Sequence, residues 1–549
     1  MNLNVESHFS QLPKADIQRS RFDRSSSVKT TFNVGDVIPF YVDEVLPGDT
    51  FDIKTSKVVR MQSLVTPIMD NIYLDTYFFF VPNRLTWEHW QEFNGENTKS
   101  AWIPATEFQV PQITAPSGGW SIGTIADYMG IPTGVANLSV NALPFRAYAL
   151  IMDGWFRDEN LSDPLNIPVN DVTQTGSNGS NYISDVALGG MPFKAAKYHD
   201  YFTSCLPSPQ KGPDVLLPLG SQAPVTTISS DEVKFPIPNA PGLMLANQSL
   251  ASGVGDVASM SFTPGSTVSF ASNIAVGQPS VGMIPVNLVT DLSQATAATI
   301  NQLRLAFQVQ KLYEKDARGG TRYIEILKSH FGVTSPDSRL QRPEYLGGNR
   351  IPININQVLQ TSQTSDQSPQ GNPVGQSLTT DTNRDFVKSF VEHGFVIGVM
   401  VARYDHTYQQ GLERFWSRKD RFDYYWPVFA NIGEQAVKNR EIYAQGTDAD
   451  DEVFGYQEAW ADYRYKPNRV SGEMRSSAPQ SLDVWHLADD YDSQPYLSDE
   501  WIREDYATVD RVLAVSSNTS AQLFCDIYIN NRTTRPMPVY SIPGLIDHF

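Results

Sequence analysis

The 549-residue sequence predicts a mainly β protein in which strands near both ends enclose a middle rich in helices and loops. Three observations carry this. Strand and turn signals alternate from Val37 to Val81, they return after Phe395, and between them lie helical stretches and a long segment with few charges. Pairing between the two ends then makes one β domain with long insertions, not a string of separate domains.

The first strand signals are VIPFYVDEV, TFDIKTSKVVRM and NIYLDTYFFFVP, with Pro47-Gly48-Asp49 as the turn between the first two. In the third run Ile72, Leu74, Thr76, Phe78 and Phe80 share one face, and Tyr73, Tyr77, Phe79 and Val81 share the other. A strand apolar on both faces belongs between layers. After Pro144, well placed in a first helical turn, Phe145, Tyr148, Ala149, Met152, Trp155 and Phe156 follow a helical repeat that Asn160 is expected to end.

From Pro213 to Gln294, 82 residues hold six charged side chains and nine prolines. Ser, Thr, Val, Gly and Pro dominate there, which suits short strands and turns in a compact inserted subdomain. A helix is expected from about Ala295 to Arg318, carrying Ile300, Leu303, Phe307 and Leu312 and stopping at Gly319-Gly320. Thr321 is then placed to cap a shorter helix with the stripe Tyr323, Ile324, Leu327 and Phe331, terminated by Gly332. Thr361 to Asp381 reads as an exposed polar loop. The closing strand signals are FVIGVMVA, VDRVLAV and QLFCDIYIN; in the last, Leu523, Cys525, Ile527 and Ile529 share a face. The expected parts are an N-terminal arm (1–36), a first β part with helical insertions (37–212), the inserted surface subdomain (213–294), and a last part of helices, loops and remaining strands (295–549).

Composition narrows the function. Hydrophobic residues make up 41% and charged ones only 19%, below the usual charged share of about 25%, so the chain has the material for a large core and for contact surfaces. A net charge of −18 argues against nucleic-acid binding through overall charge and leaves only local basic patches. Cys205 and Cys525 form no CxxC motif, so neither a disulfide scaffold nor a thiolate zinc site is indicated. The N-terminal residues have no apolar signal core and no run of about eighteen apolar residues occurs, so synthesis in a cytoplasm is expected. Catalytic motifs are missing: the eight His form no HExxH, and there is no GxSxG elbow and no Gly-Lys of a phosphate loop. The acidic run Asp448, Asp450, Asp451 and Glu452 lacks calcium-loop spacing and reads as a solvated turn.

Several long blocks are distinctive: FSQLPKADIQRSRFDRSSSVKTTFNVGDVIPFYVDEVLPGDTF, YLDTYFFFVPNRLTWEHWQEFNGE, YFTSCLPSPQKGP, RYIEILKSHFGVTSPDSRLQRPEYLGG, GYQEAWADYRYKPNRVSGEMR and RPMPVYSIPGLIDHF. Together they resemble the major capsid proteins of microviruses, particularly the gokushovirus branch; the resemblance is weakest over Pro213 to Gln294. It implies an eight-stranded viral jelly roll with long helical and loop insertions. It further implies sixty copies in a T=1 icosahedral shell around circular single-stranded DNA, a three-fold protrusion from the insertion, and no enzymatic activity or cofactor. The implied partners are the chain itself, the packaged DNA, a small basic DNA-binding protein, scaffolding and pilot-type phage proteins and a host cell-surface receptor. The rival class is a carbohydrate-binding or glycoside-cleaving β-protein.

Two basic segments are candidates for touching a genome. Near the N-terminus Lys14, Arg19, Arg21, Arg24 and Lys29 face only Asp16 and Asp23, which suits an inward arm or a solvated one equally. In RFWSRKDRFDYYW, Arg414, Arg418, Lys419 and Arg421 are placed to bind phosphates while Phe415, Trp416, Phe422 or Trp426 stack bases. Packing within or between subunits uses the same residue types and is the favoured reading of this run.

Overall fold

The computed structural model describes residues 18–96, 107–215, 300–361, 364 and 370–540, with six short strands between 225 and 290. Contacts divide the chain into two units, Met1–Lys211 with Glu314–Phe549, and Gly212–Tyr313.

Eight strands make up most of the two main sheets of the first unit: β1 (Ser26–Phe32), β2 (Asp36–Val45), β3 (Thr50–Met61), β4 (Ile72–Pro82), β5 (Glu344–Pro352), β6 (Thr379–Ser389), β7 (Gly394–Tyr404) and β8 (Leu523–Arg535). They form two antiparallel sheets with the orders β1-β8-β3-β6 and β5-β4-β7-β2. The two ends of the chain therefore lie side by side, Ser26 opposite Ile529. The stretch expected as an arm is already sheet from Ser20: Ser20–Asp23 pairs with the far end of β8, Ser20 opposite Arg535.

Period-two alternation explains the packing. Leu523, Cys525, Ile527 and Ile529 of β8 and Phe51, Ile53 and Val59 of β3 meet Leu74, Phe78, Phe80, Val396 and Met400 of the other sheet in one core. The opposite face of the second sheet, with Phe79, Val81, Ile397, Val399 and Val401, packs beneath helix α1 (Leu143–Ile151) in a second core. So β4 is buried on both sides, as its composition requires. Gly398 is needed where β7 crosses β4, because a Cβ there would stand 2.8 Å from the Phe78 ring and 3.0 Å from that of Phe40.

Four local expectations change, the first in Thr361–Asp381, expected as an exposed loop, where Pro373–Ser377 is a strand paired with Ile355–Leu359 and Thr379 opens β6. Helix α1 opens into a π-helical turn, Met152–Phe156, and the chain turns extended at Arg157, before Asn160. Thr321 does not cap the later helix: its hydroxyl is engaged with Glu159, and Arg322 occupies the cap position with its backbone N–H donating to Glu325. That helix, Tyr323–Phe331, does end at Gly332 with a left-handed φ of 69°. VDRVLAV is not a strand; Ala507–Asp510 is a short helix followed by a turn, and Val509 and Val512 fill the first core from there. A short apolar run has no period long enough to separate the two outcomes.

In the second unit, strand pairs are nested: Val225–Thr227 with Leu288–Thr290, Leu245–Asn247 with Met283–Pro285, and Met260–Ser261 with Ser269–Phe270. The rest of Pro213 to Gln294 beyond residue 215, and part of the Thr361–Asp381 loop, lie outside the described residues. The helix expected from Ala295 is described as Ile300–Gly319.

Candidate assembly and nucleic-acid surface

The N-terminal cations are held on the sheet. Arg24 grips Asp43 with two hydrogen bonds of 2.5 and 2.7 Å, Arg19 donates to the Gly48 carbonyl, and Lys29 Nζ stands 3.6 Å from Asp526. Arg21 is exposed on the strand facing Thr534, and Lys14 lies outside the described residues. Lys29 and Asp526 are both well exposed, so their attraction is weak and leaves the ammonium open to other anions.

The second segment is folded differently from any regular element. Arg414–Ser417, Arg421–Asp423 and Pro427–Phe429 are single 3₁₀ turns, and none buries a residue. Asp420 and Asp423 hold the middle turn by accepting backbone N–H bonds from Phe422 at 2.7 Å and from Lys419 at 2.7 Å. Of the four cations, Arg414 faces Glu441 at 3.4 Å, and Arg418 is paired with Asp462 and stacked on Tyr463 with its guanidinium 4.3 Å from the ring centroid. Lys419 and Arg421 stay exposed. The aromatic and aliphatic side chains point outward: Trp416 is 67% exposed and Val428 88%, and Phe415, Phe422, Tyr424, Tyr425 and Trp426 are exposed with them. A contiguous apolar ledge of this size on a single chain marks an interaction surface.

Beneath the ledge lies a third core of Tyr201, Phe202, Cys205, Tyr408, Val437, Ile442 and Phe454. It is braced by a buried charge cluster that sequence spacing gave no sign of. His406 sits between two carboxylates, Nδ1 3.0 Å from Asp489 and Nε2 3.0 Å from Glu504. Burial disfavours its charge, but Asp489 and Glu504 outweigh that and push the imidazole up to about 10; Asp489 in turn is drawn down to about 2 against its own desolvation. The imidazole is thus a fixed cation with both nitrogens occupied, not a general base near neutrality. Burial also pushes the Cys205 thiol up, and Cys525 up to about 12, the opposite of an activated nucleophile.

A second cluster joins three strands of one sheet. Asp75 of β4 accepts from Arg350 Nε of β5 at 2.6 Å, from Arg403 of β7 at 2.6 Å, and from the Tyr198 and Tyr77 hydroxyls at 2.9 and 3.1 Å. Both guanidiniums lie 4.3 Å from the Tyr198 ring centroid. In the acidic run, Asp450 is buried and accepts the Gln445 and Gly446 N–H groups at 2.8 Å, while Asp451 pairs with Lys438 at 2.7 Å and with Arg440. These carboxylates serve the turn itself.

Two stacked antiparallel sheets, cations tied into internal pairs and an outward aromatic ledge define a β-rich assembly subunit whose chemistry is contact with other molecules. The chain belongs to the phage capsid protein (F protein) family, whose model it matches over residues 10–545. It is 46% identical over 551 residues to the capsid protein VP1 of Spiroplasma virus 4, covering 99% of this chain and 98% of the relative. It is 44% identical over 550 residues to capsid protein VP1 of Bdellovibrio phage phiMH2K and over 586 residues to that of Chlamydia phage 1, covering 98% of both chains in each case. Its role is that of a major capsid protein, structural and not catalytic, and its place is the virion.

Proposed function

We propose that this subunit forms the wall of a sixty-copy T=1 shell enclosing circular single-stranded DNA, with an eight-stranded jelly roll as its frame. The observation that carries the frame is the strand order: the eight strands divide four to each sheet so that the first pairs with the last, second with seventh, third with sixth and fourth with fifth, the connectivity of two interleaved Greek keys. The insertion 213–294 is read as an outward three-fold protrusion available to a host receptor. Assembly in the host cytoplasm, with scaffolding and pilot-type proteins, belongs to the same reading. A cryo-EM map of purified particles tests it: sixty copies with spikes at the three-folds are expected, and spikes that persist after deletion of 213–294 would exclude that assignment.

Among the described candidates, the cations left open to phosphates are Arg21, Lys29, Lys419 and Arg421, because Arg24, Arg414 and Arg418 already hold carboxylates and Arg19 donates to the Gly48 carbonyl. An acidic subunit cannot neutralise the enclosed phosphates, so cations and a small basic protein complete the charge balance. Replacing the four free cations by Gln should weaken DNA retention in a salt-dependent way; unchanged salt dependence would remove them from the genome contact.

A further inference from the structure

Beside the ledge, residues 408–418 and 462–475 enclose a cleft of about 560 Å³ lined by seven aromatic rings, with six Lys and Arg against three carboxylates. All three carboxylates are consumed: Glu441 by Arg414, Asp462 by Arg418 and Glu413 by Lys466. Arg464 pairs with Glu458 at 2.6 Å. Arg469 and Arg475 then remain at the rim without a carboxylate among the described residues. The cleft is cationic on a strongly acidic chain.

An opposite surface adjoins it. Between Asp489 and Asp505 the exposed carboxylates are Asp490, Asp492, Glu500 and Asp505; the one cation, Arg503, is taken by Asp499. Tyr496 stands among them, 68% exposed. Two consecutive residues hold the two surfaces together: the Gln409 backbone carbonyl accepts from Arg475 at 2.9 Å, and the Gln410 side chain donates to Asp490 at 2.9 Å and accepts the Tyr491 N–H at 2.8 Å.

A face that carries a cationic aromatic cleft next to an acidic strip with a projecting Tyr is complementary to itself after a half turn. We propose that this face forms a two-fold contact between two copies of the chain, each cleft receiving the other's 490–505 strip. The inference rests on self-assembly of the subunit and adds which surface performs it. Rings at the centre and paired charges around them match the anatomy of stable interfaces.

The test uses the full chain expressed with its partner proteins. R469E/R475E and D490K/D492K, each alone, place like charges opposite each other twice per contact. Shell yield is expected to fall at least about a hundredfold in each. Co-expressing the two variants, or combining all four changes in one chain, restores opposite charges and should restore shells. A photo-crosslinking residue at Trp416 in an otherwise unchanged chain should capture residues 490–505 of a neighbouring copy. Shells at normal yield from either reversed variant, no recovery on combination, or crosslinks only to other segments would overturn the assignment while leaving the capsid role intact. Failure of the unchanged chain to form shells would count against the capsid reading instead.

Discussion

Asp75→Asn removes one charge and almost no volume, so it isolates what the carboxylate contributes where β4, β5 and β7 meet. In the folded chain Asp75 is nearly inaccessible, its side chain 2% exposed, and it faces two guanidiniums. Arg350 is 51% exposed and can turn to water, so its loss is screened; Arg403 is 13% exposed and stays beside a neutral amide. Stranding a buried charge costs about 3–5 kcal/mol, and with only Arg403 fully counted the lower end, about 3 kcal/mol, is expected. For a large domain that corresponds to roughly 5–10 °C in Tm, read by circular dichroism on dilute, unassembled subunit so that neighbours add no stability. The pH dependence gives a second handle. Burial raises the Asp75 pKa, but Arg350 and Arg403 together hold it below the ordinary carboxylate value. Its contribution is therefore present above the unfolded pKa, about 3.9, and disappears as pH falls through the lower folded value. The gap between variant and unchanged chain should narrow in acid. A Tm difference within about 1 °C at pH 7, or a gap that does not shrink below about pH 4, would refute the reasoning.

His406→Gln leaves Asp489 and Glu504 facing each other in a buried site and should cost about 3 kcal/mol. Because the imidazole pKa is raised, to about 10, that stabilisation is complete below about pH 6.5 and fades as pH climbs towards 10, so melts across this window should converge at the alkaline end. Gly398→Ala drives a methyl into the Phe78 and Phe40 rings and should cost about 1–3 kcal/mol, measured by urea unfolding, with an unchanged midpoint as the contrary result. Trp416→Ala removes an exposed ring of the ledge; subunit melting should stay within about 1 °C while shells sediment in lower yield. A variant that assembles normally would place the ledge outside the contacts.

The strands were legible because burial in a sheet imposes a period of two: the inward set Leu523, Cys525, Ile527 and Ile529 and the two-sided Phe78-Phe79-Phe80 declare their surroundings residue by residue. Pairing of the chain ends followed from where those patterns fall. Composition offered 414–426 as either a packing surface or a phosphate-binding run, but it could not tell Arg418, committed to Asp462, from Lys419, which is exposed. The partners that decide such matters are remote: Asp75 meets Arg350 across 275 positions and Arg403 across 328, and no local pattern encodes that meeting. The same distance hid His406 with Asp489 and Glu504. Thr321 has the right chemistry for a cap, yet Glu159 from another segment claims its hydroxyl.

The pairing of β1 with β8 sets a schedule for a newborn chain. Ser25 and Asn531, joined across that ladder, are 506 positions apart. At about 5–20 residues per second of translation, the leading strand waits roughly 25 to 100 seconds without its ladder partner before its mate leaves the ribosome. A copy cut short ahead of Leu523 never receives that mate and cannot seal its hydrophobic layer. Building the first and final stretches into a single ladder thereby makes a closed hydrophobic layer a property of the finished chain alone.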